Sequence, residues 1–399
     1  MEFTSNTIIV VGAGVAGLAA ARALTRAGLQ PIVLEARDRI GGRILTVHDD
    51  RSPLPIESGA EFVHGVHPVL WKVLREFNAS VIEIGSGGGP EETGPLFDAM
   101  ANAPEQSFEA FLRTVDFPEH VKQAATGYVE GFNAAHKEWV GVEWLNAENA
   151  ASDQIEGDRA FRVVSGYDSV PRHLAGGLDI RLNMPVRRIC WERGEAILEI
   201  DGGSILARRA IVTVPMAVLF AGGLRLDPEP EVITAARDAI GIGQAIRVTF
   251  LFSKAPAEKG FLHGDQPFPV CWTETSLATA WAAGPKADAL RGKSLDEWKR
   301  IALQSVKGIL KEDPGVPLGA WVHDWTADPW SRTAYSYVRA HGMSAQRALS
   351  APVEDTLYFA GEAIAPAGHI GTVHGAIVSG IHAAGLAATS FSSREESRS

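Results

Sequence analysis

Short apolar runs alternate with glycine-rich and amphipathic segments at the start of the chain. Residues 7–11 form a β-branched run that is typical of a buried parallel strand, and a second apolar run lies at 31–34. Between them, residues 18–27 are rich in Ala, have strong helix propensity and end at Gly28, a favourable residue after a helix. The order of strand, glycine loop, helix and strand predicts the first half of a doubly wound parallel sheet.

Later segments continue this alternation. Apolar residues on one face predict helices at 67–77 and 295–310, and a stretch rich in Ala and Gly predicts a helix at 371–388. Residues 108–144 are predicted to be a mostly helical insertion that holds several large aromatic side chains. Short strands are predicted at 161–164, 180–182, 187–191, 196–200, 205–207, 210–214, 244–252 and 356–359. The pattern therefore predicts a mixed α/β fold.

The glycine loop after the first strand predicts a dinucleotide site. Gly12 allows a tight turn out of the strand, Gly14 lets the backbone approach a pyrophosphate, and Gly17 lets the helix pack close to the strand. The helix N-terminus offers free N–H groups, and Glu35 lies where an acid binds a ribose hydroxyl. An acid at this position argues against the 2′-phosphate of NADP. The alternative interpretation of the glycine loop is a purely structural turn. The expected contacts are Gly12, Gly14, Val15, Ala16, Gly17 and Glu35.

The segment that begins at Glu35 distinguishes FAD from NAD. Residues 35–43, Glu-Ala-Arg-Asp-Arg-Ile-Gly-Gly-Arg, resemble the second signature of the flavin-containing amine oxidase family. In that family the Gly-Gly-Arg loop passes the FAD pyrophosphate, and its arginine contacts the phosphate. Arg43 offers a fixed fork of donors, and Gly42 permits close approach of the backbone. The resemblance adds Ala36, Arg37, Gly42 and Arg43 to the expected FAD contacts.

Further segments extend this resemblance, in the family's order, over most of the chain. They are residues 57–65, 161–186, 325–337, 358–362 and 371–376. Residues 325–337 are especially similar to the polyamine oxidase and lysine-specific histone demethylase branch of the family. The FAD contacts that these segments imply are Gly59, Ala60, Glu61, Phe62, Val186, Trp330, Gly361, Glu362, Thr372 and Val373.

The same resemblance implies a discontinuous Rossmann-like FAD-binding domain and an interleaved substrate domain built from a sheet and helices. The FAD-binding domain would comprise residues 1–80, 161–215 and 350–390, and the substrate domain would comprise 81–160 and 216–349. Residues 391–399 are polar and are expected to form a disordered tail. The active site is expected between the two domains.

The resemblance also implies an amine site with aromatic walls and little acid–base machinery. Tyr335 matches a tyrosine that stands beside the flavin as one side of an aromatic cage, and Thr372 takes the second cage position, as in the demethylase branch. His64 matches a histidine that some polyamine oxidases carry near the substrate. Arg247 replaces a lysine that holds water against flavin N5 and helps the reaction with oxygen. The alternatives are a core role for Tyr335 and for Trp330, a structural role for His64 and a solvent-facing position for Arg247.

Non-covalent FAD is expected, because Ala334 stands where monoamine oxidases carry the cysteine that binds FAD covalently. The two cysteines, Cys190 and Cys271, lie elsewhere and do not form a CxxC pair, so no metal site is expected. A net charge of −11 argues against a nucleic-acid surface. The N-terminus has no signal peptide, and no apolar run is long enough to span a membrane, so a cytoplasmic protein is expected.

The sequence thus predicts FAD-dependent oxidation of the C–N bond of a primary or secondary amine, polyamine-like or monoamine. The imine product would hydrolyse to an aldehyde, and O2 would be reduced to H2O2. An L-amino-acid oxidase or desaturase of the same fold, and a catalytically idle FAD-binding module, are the alternatives. A carboxylate substrate would need a dedicated arginine, and Arg113 is the one arginine between Gly94 and Ala151. The identity of the amine, the electron acceptor and the oligomeric state are left open.

Overall fold

The computed structural model describes residues 7–86 and 89–395. In chain order, the strands are β1 (Ile8–Val11), β2 (Ile32–Leu34), β3 (Thr46–Val47), β4 (Ile56–Glu57), β5 (Phe62–His64), β6 (Val81–Ser86), β7 (Arg159–Val163), β8 (Asp179–Arg181), β9 (Val186–Glu192), β10 (Glu195–Ile200), β11 (Gly203–Ala207), β12 (Arg209–Val212), β13 (Arg225–Asp227), β14 (Ile240–Gly243), β15 (Ala245–Leu251), β16 (Gly260–His263), β17 (Val270–Glu274), β18 (Leu277–Ala283), β19 (Gly319–Trp321), β20 (Tyr335–Val338) and β21 (Leu357–Phe359).

Helices connect and cover these strands. In chain order, they are α1 (Val15–Arg26), α2 (Pro68–Glu76), α3 (Gly94–Met100), α4 (Phe108–Thr114), α5 (Glu119–Asn133), α6 (Val142–Gln154), α7 (Ser169–Leu174), α8 (Met216–Phe220), α9 (Glu231–Ala239), α10 (Pro285–Asp288), α11 (Leu295–Leu310), α12 (Met343–Ala348) and α13 (Val373–Glu395). Short 3-10 helices lie at Glu91–Thr93 and Glu362–Ile364.

A parallel sheet has the strand order β21-β12-β1-β2-β8. Its central strand β1 is buried along its whole length, which explains the uninterrupted run of Ile and Val. The five strands come from residues 8–34, 179–212 and 357–359, so each of the three stretches expected for the FAD-binding domain contributes to one sheet. The parallel sheet confirms the expected fold class.

Helices α1 and α13 pack against each other beside this sheet, and glycines allow their close approach. A Cβ at Gly380 would lie 2.1 Å from the Ala16 carbonyl oxygen of α1. Gly17 serves a different contact, because a Cβ there would lie 1.9 Å from the Gly12 carbonyl oxygen in the glycine loop. Helix α1 begins at Val15, directly after the glycine loop and earlier than the predicted start at residue 18.

A second, antiparallel sheet has the order β16-β17-β18-β15-β19 and includes the strand predicted at 244–252. Helix α11 covers it and begins with a capping box formed by Ser294 and Glu297. Trp298 and Val306 of α11 join the same apolar core as Val248 of β15. Helix α5 also contacts this sheet, at β18.

The end of the chain differs from its prediction. Helix α13 continues to Glu395, so residues 391–395 are helical, and the expectation of a disordered tail is wrong for them. Residues 396–399 of the predicted tail, residues 1–6 of the expected FAD-binding domain and residues 87–88 of the expected substrate domain lie outside the described residues. Among the described helices, none has the length and apolar character that crossing a membrane requires. The cytoplasmic location stays a prediction.

Candidate active site

A cavity of about 770 Å³ extends from the parallel sheet to the antiparallel sheet. On one side it is lined by residues at the carboxyl ends of parallel strands, including Val11, Leu34 and Thr213. On the other side it is lined by Trp272 and Trp281 of the antiparallel sheet. Ligands of open α/β sheets bind at the carboxyl ends of the strands, so this cavity is the expected site for a cofactor and its substrate.

The glycine loop leaves room for a phosphate group. Gly12 has φ +109°, and a Cβ there would lie 2.6 Å from the Thr213 hydroxyl, so the turn requires glycine. Gly14 faces open space, with no atom within 4 Å of an added Cβ, and no side chain caps α1. Gly14, Val15 and Ala16 line the cavity at the helix N-terminus. The structure therefore has an open anion cradle where the sequence predicts the pyrophosphate.

Glu35 lies at the end of β2 and is buried. Its carboxylate accepts hydrogen bonds from the backbone N–H groups of Ala13, at 2.7 Å, and Arg37, at 2.9 Å. Each carboxylate oxygen has a second lone pair, so Glu35 can still accept a hydrogen bond from a ribose hydroxyl. The Arg37 side chain turns to Asp328 and Ser331, at 2.8 Å each. Ala36 and Arg37 also line the cavity, as expected for FAD contacts.

Arg43 is bound by protein groups in this structure. Its guanidinium donates to Glu362 Oε1 and to the Ala334 carbonyl oxygen, both at 3.0 Å. The Glu362 carboxylate also accepts from Ser336 and from the Gly371 N–H. Gly42, Arg43, Gly361 and Glu362 all line the cavity. The network ties the Gly-Gly-Arg loop to the C-terminal segment, and contact between Arg43 and a phosphate stays a prediction.

Part of the cavity has an apolar lining near the start of β9. Val186, which begins β9, is buried, and Met184 and Val214 line the cavity beside it. Trp330 lines the cavity as well, and the Arg187 guanidinium lies over its ring at 5.2 Å from the centroid. The predicted contacts Val186 and Trp330 are thus brought to the same cavity as the glycine loop.

Residues 59–62 lie where β5 approaches the antiparallel sheet, and all four line the cavity. A Cβ at Gly59 would lie 2.0 Å from the Arg43 carbonyl oxygen, and the Ala60 N–H donates to that oxygen at 3.1 Å. Phe62 meets Phe261 and Trp272 edge to face, with ring centroids 5.5 Å apart in each case. The segment therefore connects the Gly-Gly-Arg loop to the aromatic side of the cavity.

Arg247 is buried in the cavity wall, which excludes the solvent-facing alternative. Its guanidinium pairs with Glu61, donates to the Gly59 carbonyl oxygen at 2.9 Å, and lies 5.1 Å from the centroid of the Trp272 ring. Glu61 also pairs with Arg162. Burial lowers the pKa of Arg247, and the charge of the Glu57 carboxylate opposes this decrease. Arg247 Nε has no hydrogen-bond partner among the described residues, which leaves one buried donor for a group bound in the cavity.

The remaining predicted side chains, Tyr335, Thr372 and His64, line the same cavity. The Tyr335 hydroxyl donates to the Phe132 carbonyl oxygen at 2.5 Å. The Thr372 hydroxyl donates to the His369 carbonyl oxygen at 2.7 Å and accepts from the Gly375 N–H at 2.9 Å. Burial lowers the pKa of His64 to about 4, so its imidazole is neutral at neutral pH. Val373, the first residue of α13, also lines the cavity.

One aromatic wall is formed by residues of the helical insertion that the sequence did not identify individually. Tyr128 and Phe132 line the cavity from α5, with their rings stacked at 5.4 Å between centroids. Trp281 of β18 donates to the Gly131 carbonyl oxygen at 3.0 Å and so fixes α5 against the sheet. The i, i+4 spacing of Tyr128 and Phe132 is the signal in the sequence that could have revealed this wall.

Three histidines, His67, His369 and His374, form a cluster whose ring nitrogens lie within 4.8 Å of one another. His67 Nδ1 accepts from the Val69 N–H, and His374 is hydrogen-bonded to His369 at 3.2 Å. The His67 and His374 rings are stacked, with an interplanar angle of 15° and centroids 4.5 Å apart. Ring lone pairs lie in the ring plane, so two stacked imidazoles cannot both direct one at a shared ion. The prediction of no metal site stays a prediction.

The fold and the cavity define a protein with a dinucleotide-type cradle beside an aromatic chamber. The chain belongs to the family described as flavin containing amine oxidoreductase, whose model matches residues 15–140 and 145–388. It is accordingly an FAD-dependent amine oxidoreductase.

Individual relatives agree with this assignment. Polyamine oxidase 4 of Oryza sativa subsp. japonica is 30% identical, over 95% of this chain and 88% of the relative. Lysine-specific histone demethylase 1B of Mus musculus is 28% identical, over 96% of this chain and 53% of the relative. A solved structure of putrescine oxidase is 23% identical and superposes with a TM-score of 0.84, over 95% of this chain and 98% of the other. The family match and the two sequence relatives confirm the expected family and its polyamine oxidase and demethylase branch. The putrescine oxidase structure shows the same fold.

Proposed function

We propose that the protein oxidises the C–N bond of a primary or secondary amine, polyamine-like or monoamine, to an imine that hydrolyses to an aldehyde. In the proposal, O2 is the electron acceptor and H2O2 is the second product. The observation that carries the proposal is one cavity that joins the glycine-loop cradle to an aromatic chamber at Tyr335. The names of the polyamine oxidase and putrescine oxidase relatives support an amine as the substrate.

The residues of this chain would hold and orient FAD and enclose the substrate. Gly14 and the N-terminus of α1 fit the pyrophosphate, Glu35 fits a ribose hydroxyl, and Val186 and Trp330 fit a flat ring. When bound, FAD supplies the two-electron acceptance that removes a hydride from the amine α-carbon. Aromatic walls exclude water from the reacting amine and orient it.

Four side chains are assigned to the reaction in this proposal. Tyr335 forms an aromatic wall that attracts a cationic or lone-pair-bearing amine, and its hydroxyl is already fixed by Phe132. Thr372 is smaller than an aromatic residue and leaves room for a longer or secondary amine. His64 is neutral and can exchange a hydrogen bond with an amine. Arg247 would stabilise negative charge that develops when the reduced cofactor meets O2.

An L-amino-acid oxidase is less well supported, because the cavity lacks a free arginine among the described residues. The arginines that line it, Arg37, Arg43 and Arg247, are paired with Asp328, Glu362 and Glu61 respectively. Arg113, the candidate in the helical insertion, is exposed and paired with Glu109. A substrate carboxylate would therefore have to compete with an existing ion pair for a guanidinium.

Product analysis tests the proposed function. The purified protein, saturated with FAD, is incubated in air with putrescine, a longer polyamine, a primary monoamine and an L-amino acid, and aldehyde and H2O2 are measured. We expect equimolar aldehyde and H2O2 from at least one amine. Turnover of the amino acid alone, or aldehyde formed with another acceptor but without H2O2 in air, would contradict the proposal.

A further inference from the structure

Five glutamates line the cavity: Glu35, Glu61, Glu130, Glu148 and Glu362. Glu35, Glu61 and Glu362 are held by the hydrogen bonds and ion pairs described above. The Glu130 carboxylate accepts from the Lys137 N–H at 3.4 Å. Among the described residues, Glu148 has no cation within ion-pair distance, and the side chain that hydrogen-bonds to it is Asn133. A carboxylate in an apolar cavity without a cation is costly unless a ligand supplies one.

Helix α6 directs Glu148 into the cavity. Trp144, Glu148 and Ser152 all line it, at spacings of four residues. These spacings place the three side chains on one face of the α-helix. The orientation of Glu148 therefore follows from the helix rather than from a mobile loop.

The surroundings of Glu148 are the aromatic walls of the proposed amine site. Burial raises the pKa of Tyr335 and of Tyr128, and the charge of Glu148 raises both further. The Tyr335 hydroxyl is bonded to the Phe132 backbone, and Phe132 stacks on Tyr128. Glu148 is thus the carboxylate next to the wall against which the amine is expected to react.

We propose that Glu148 is a catalytic residue that receives the proton lost by a cationic substrate amine before oxidation. This role rests on the proposed function. It specifies in addition that the amine substrate enters the cavity as an ammonium ion. An ion pair between this ammonium and the Glu148 carboxylate would supply the cation that the structure lacks at this position. Asn133 would steady the carboxylate while the proton moves.

Proton transfer is needed because an ammonium nitrogen has no lone pair with which to form a C=N bond. In the first step, R–CH2–NH3⁺ and Glu148–COO⁻ become R–CH2–NH2 and Glu148–COOH. The neutral nitrogen then has the lone pair that forms the C=N bond of R–CH=NH2⁺, and FAD, when bound, would accept the hydride that leaves the α-carbon. Glu148 then returns its proton to water, so the group is restored for the next turnover.

The charge state of Glu148 suits this exchange. Burial raises its pKa to about 8, and the hydrogen bond from Asn133 opposes the increase. The cavity is also lined by Lys286, by His263 and His374, and by Glu130 of α5, whose pKa is raised by burial. The titratable groups to be compared with Glu148 at the amine site are Tyr128 of α5, Tyr335 of β20, His64 and His369. Burial raises the pKa of both tyrosines and lowers that of both histidines, so all four are neutral near pH 8. Glu148, whose charge acts on Tyr335, therefore has a pKa in the range in which these four groups stay neutral.

The test compares Glu148→Gln with Glu143→Gln, a change on the exposed side of α6 where Glu143 pairs with Arg347 at 3.2 Å. Anaerobic cofactor reduction by an amine that reduces the wild-type protein is followed by stopped flow as a function of pH. We expect Glu148→Gln to slow reduction near pH 8 by about 10²–10⁴-fold. Its rate should rise at higher pH, where the free amine is neutral. Glu143→Gln should match the wild type, and Glu148→Asp should keep the wild-type form of the pH profile.

A second measurement does not depend on turnover. tert-Butylammonium is a cation without an α-hydrogen, so it can bind but cannot be oxidised. We expect Glu148→Gln to weaken its binding, measured by calorimetry, by more than about tenfold, and Glu143→Gln to leave binding unchanged.

The two proposals fail in different ways. A wild-type protein that no amine reduces would overturn the proposed function and the role of Glu148 with it. A wild-type protein that amines reduce, with an unchanged rate and pH profile in Glu148→Gln, would overturn the role of Glu148 alone.

Discussion

At the scale of single residues, the site depends on pairings between groups that are distant in sequence. Glu61 meets Arg247 and Arg162, Arg43 meets Glu362, and Tyr335 meets the backbone of Phe132. The motifs predicted most of these residues as site residues, and the structure brings them to one cavity. Their partners could not be predicted, because a pairing such as that of Glu61 with Arg247 depends on how β5 meets β15.

Tyr335 allows the wall and the hydrogen bond to be tested separately. Tyr335→Phe removes the hydroxyl that donates to Phe132 and keeps the ring, whereas Tyr335→Ala removes the wall. We expect Tyr335→Ala to slow anaerobic cofactor reduction by up to about a hundredfold through loss of orientation, and Tyr335→Phe to slow it far less. FAD content should be unchanged in both. Equal reduction rates in Tyr335→Ala and the wild type would return this residue to a core role.

Arg247 is expected to act after substrate oxidation. Arg247→Met deletes a charge while keeping approximate length, so reoxidation by O2 should slow by about a hundredfold or more, and anaerobic reduction should change less. Arg247→Lys keeps the charge and should retain most of the O2 rate. Stopped-flow measurement of the two half-reactions separates these effects. Reoxidation that is unaffected in Arg247→Met would leave Arg247 as the structural partner of Glu61.

At the scale of elements, the glycine positions decide how closely helices approach. The sequence predicted β1, α1 and β2 because β-branched runs, an Ala-rich helix and turn glycines are local signals. Two boundaries were less accurate: α1 begins before residue 18, and α13 continues to Glu395. The position of Glu148 beside Tyr335 has no local signal, since it depends on the packing of α6 against β20 and α5.

The α1–α13 contact predicts opposite effects for two glycines of α13. A Cβ at Gly380 would lie 2.1 Å from the Ala16 carbonyl oxygen, whereas a Cβ at Gly385 meets no atom within 4 Å. We expect Gly380→Ala to lower the free energy of unfolding by about 1–3 kcal/mol, because the helices must separate. Gly385→Ala should raise it by about 0.5–1 kcal/mol, because alanine is the better helix former. Equal melting temperatures in thermal denaturation would contradict the close contact.

At the scale of the whole molecule, one cavity extends between a parallel sheet and an antiparallel sheet. The parallel sheet is built from three separate stretches of the chain. We expect FAD to be retained non-covalently, because Ala334 borders the cavity and neither Cys190 nor Cys271 is among the lining residues. We expect acid or heat denaturation to release all the yellow colour into the supernatant. Colour that stays with the precipitated protein would show a covalent bond.

The central claim is that this cavity places an amine against FAD for oxidation. Its most direct test is the visible spectrum of the FAD-bound protein after anaerobic addition of putrescine, a longer polyamine and a primary monoamine, each separately. We predict loss of the oxidised flavin absorbance with at least one amine, and its return when air is admitted. A spectrum that stays oxidised with every amine would contradict the claim and leave a protein that binds FAD without using it on amines.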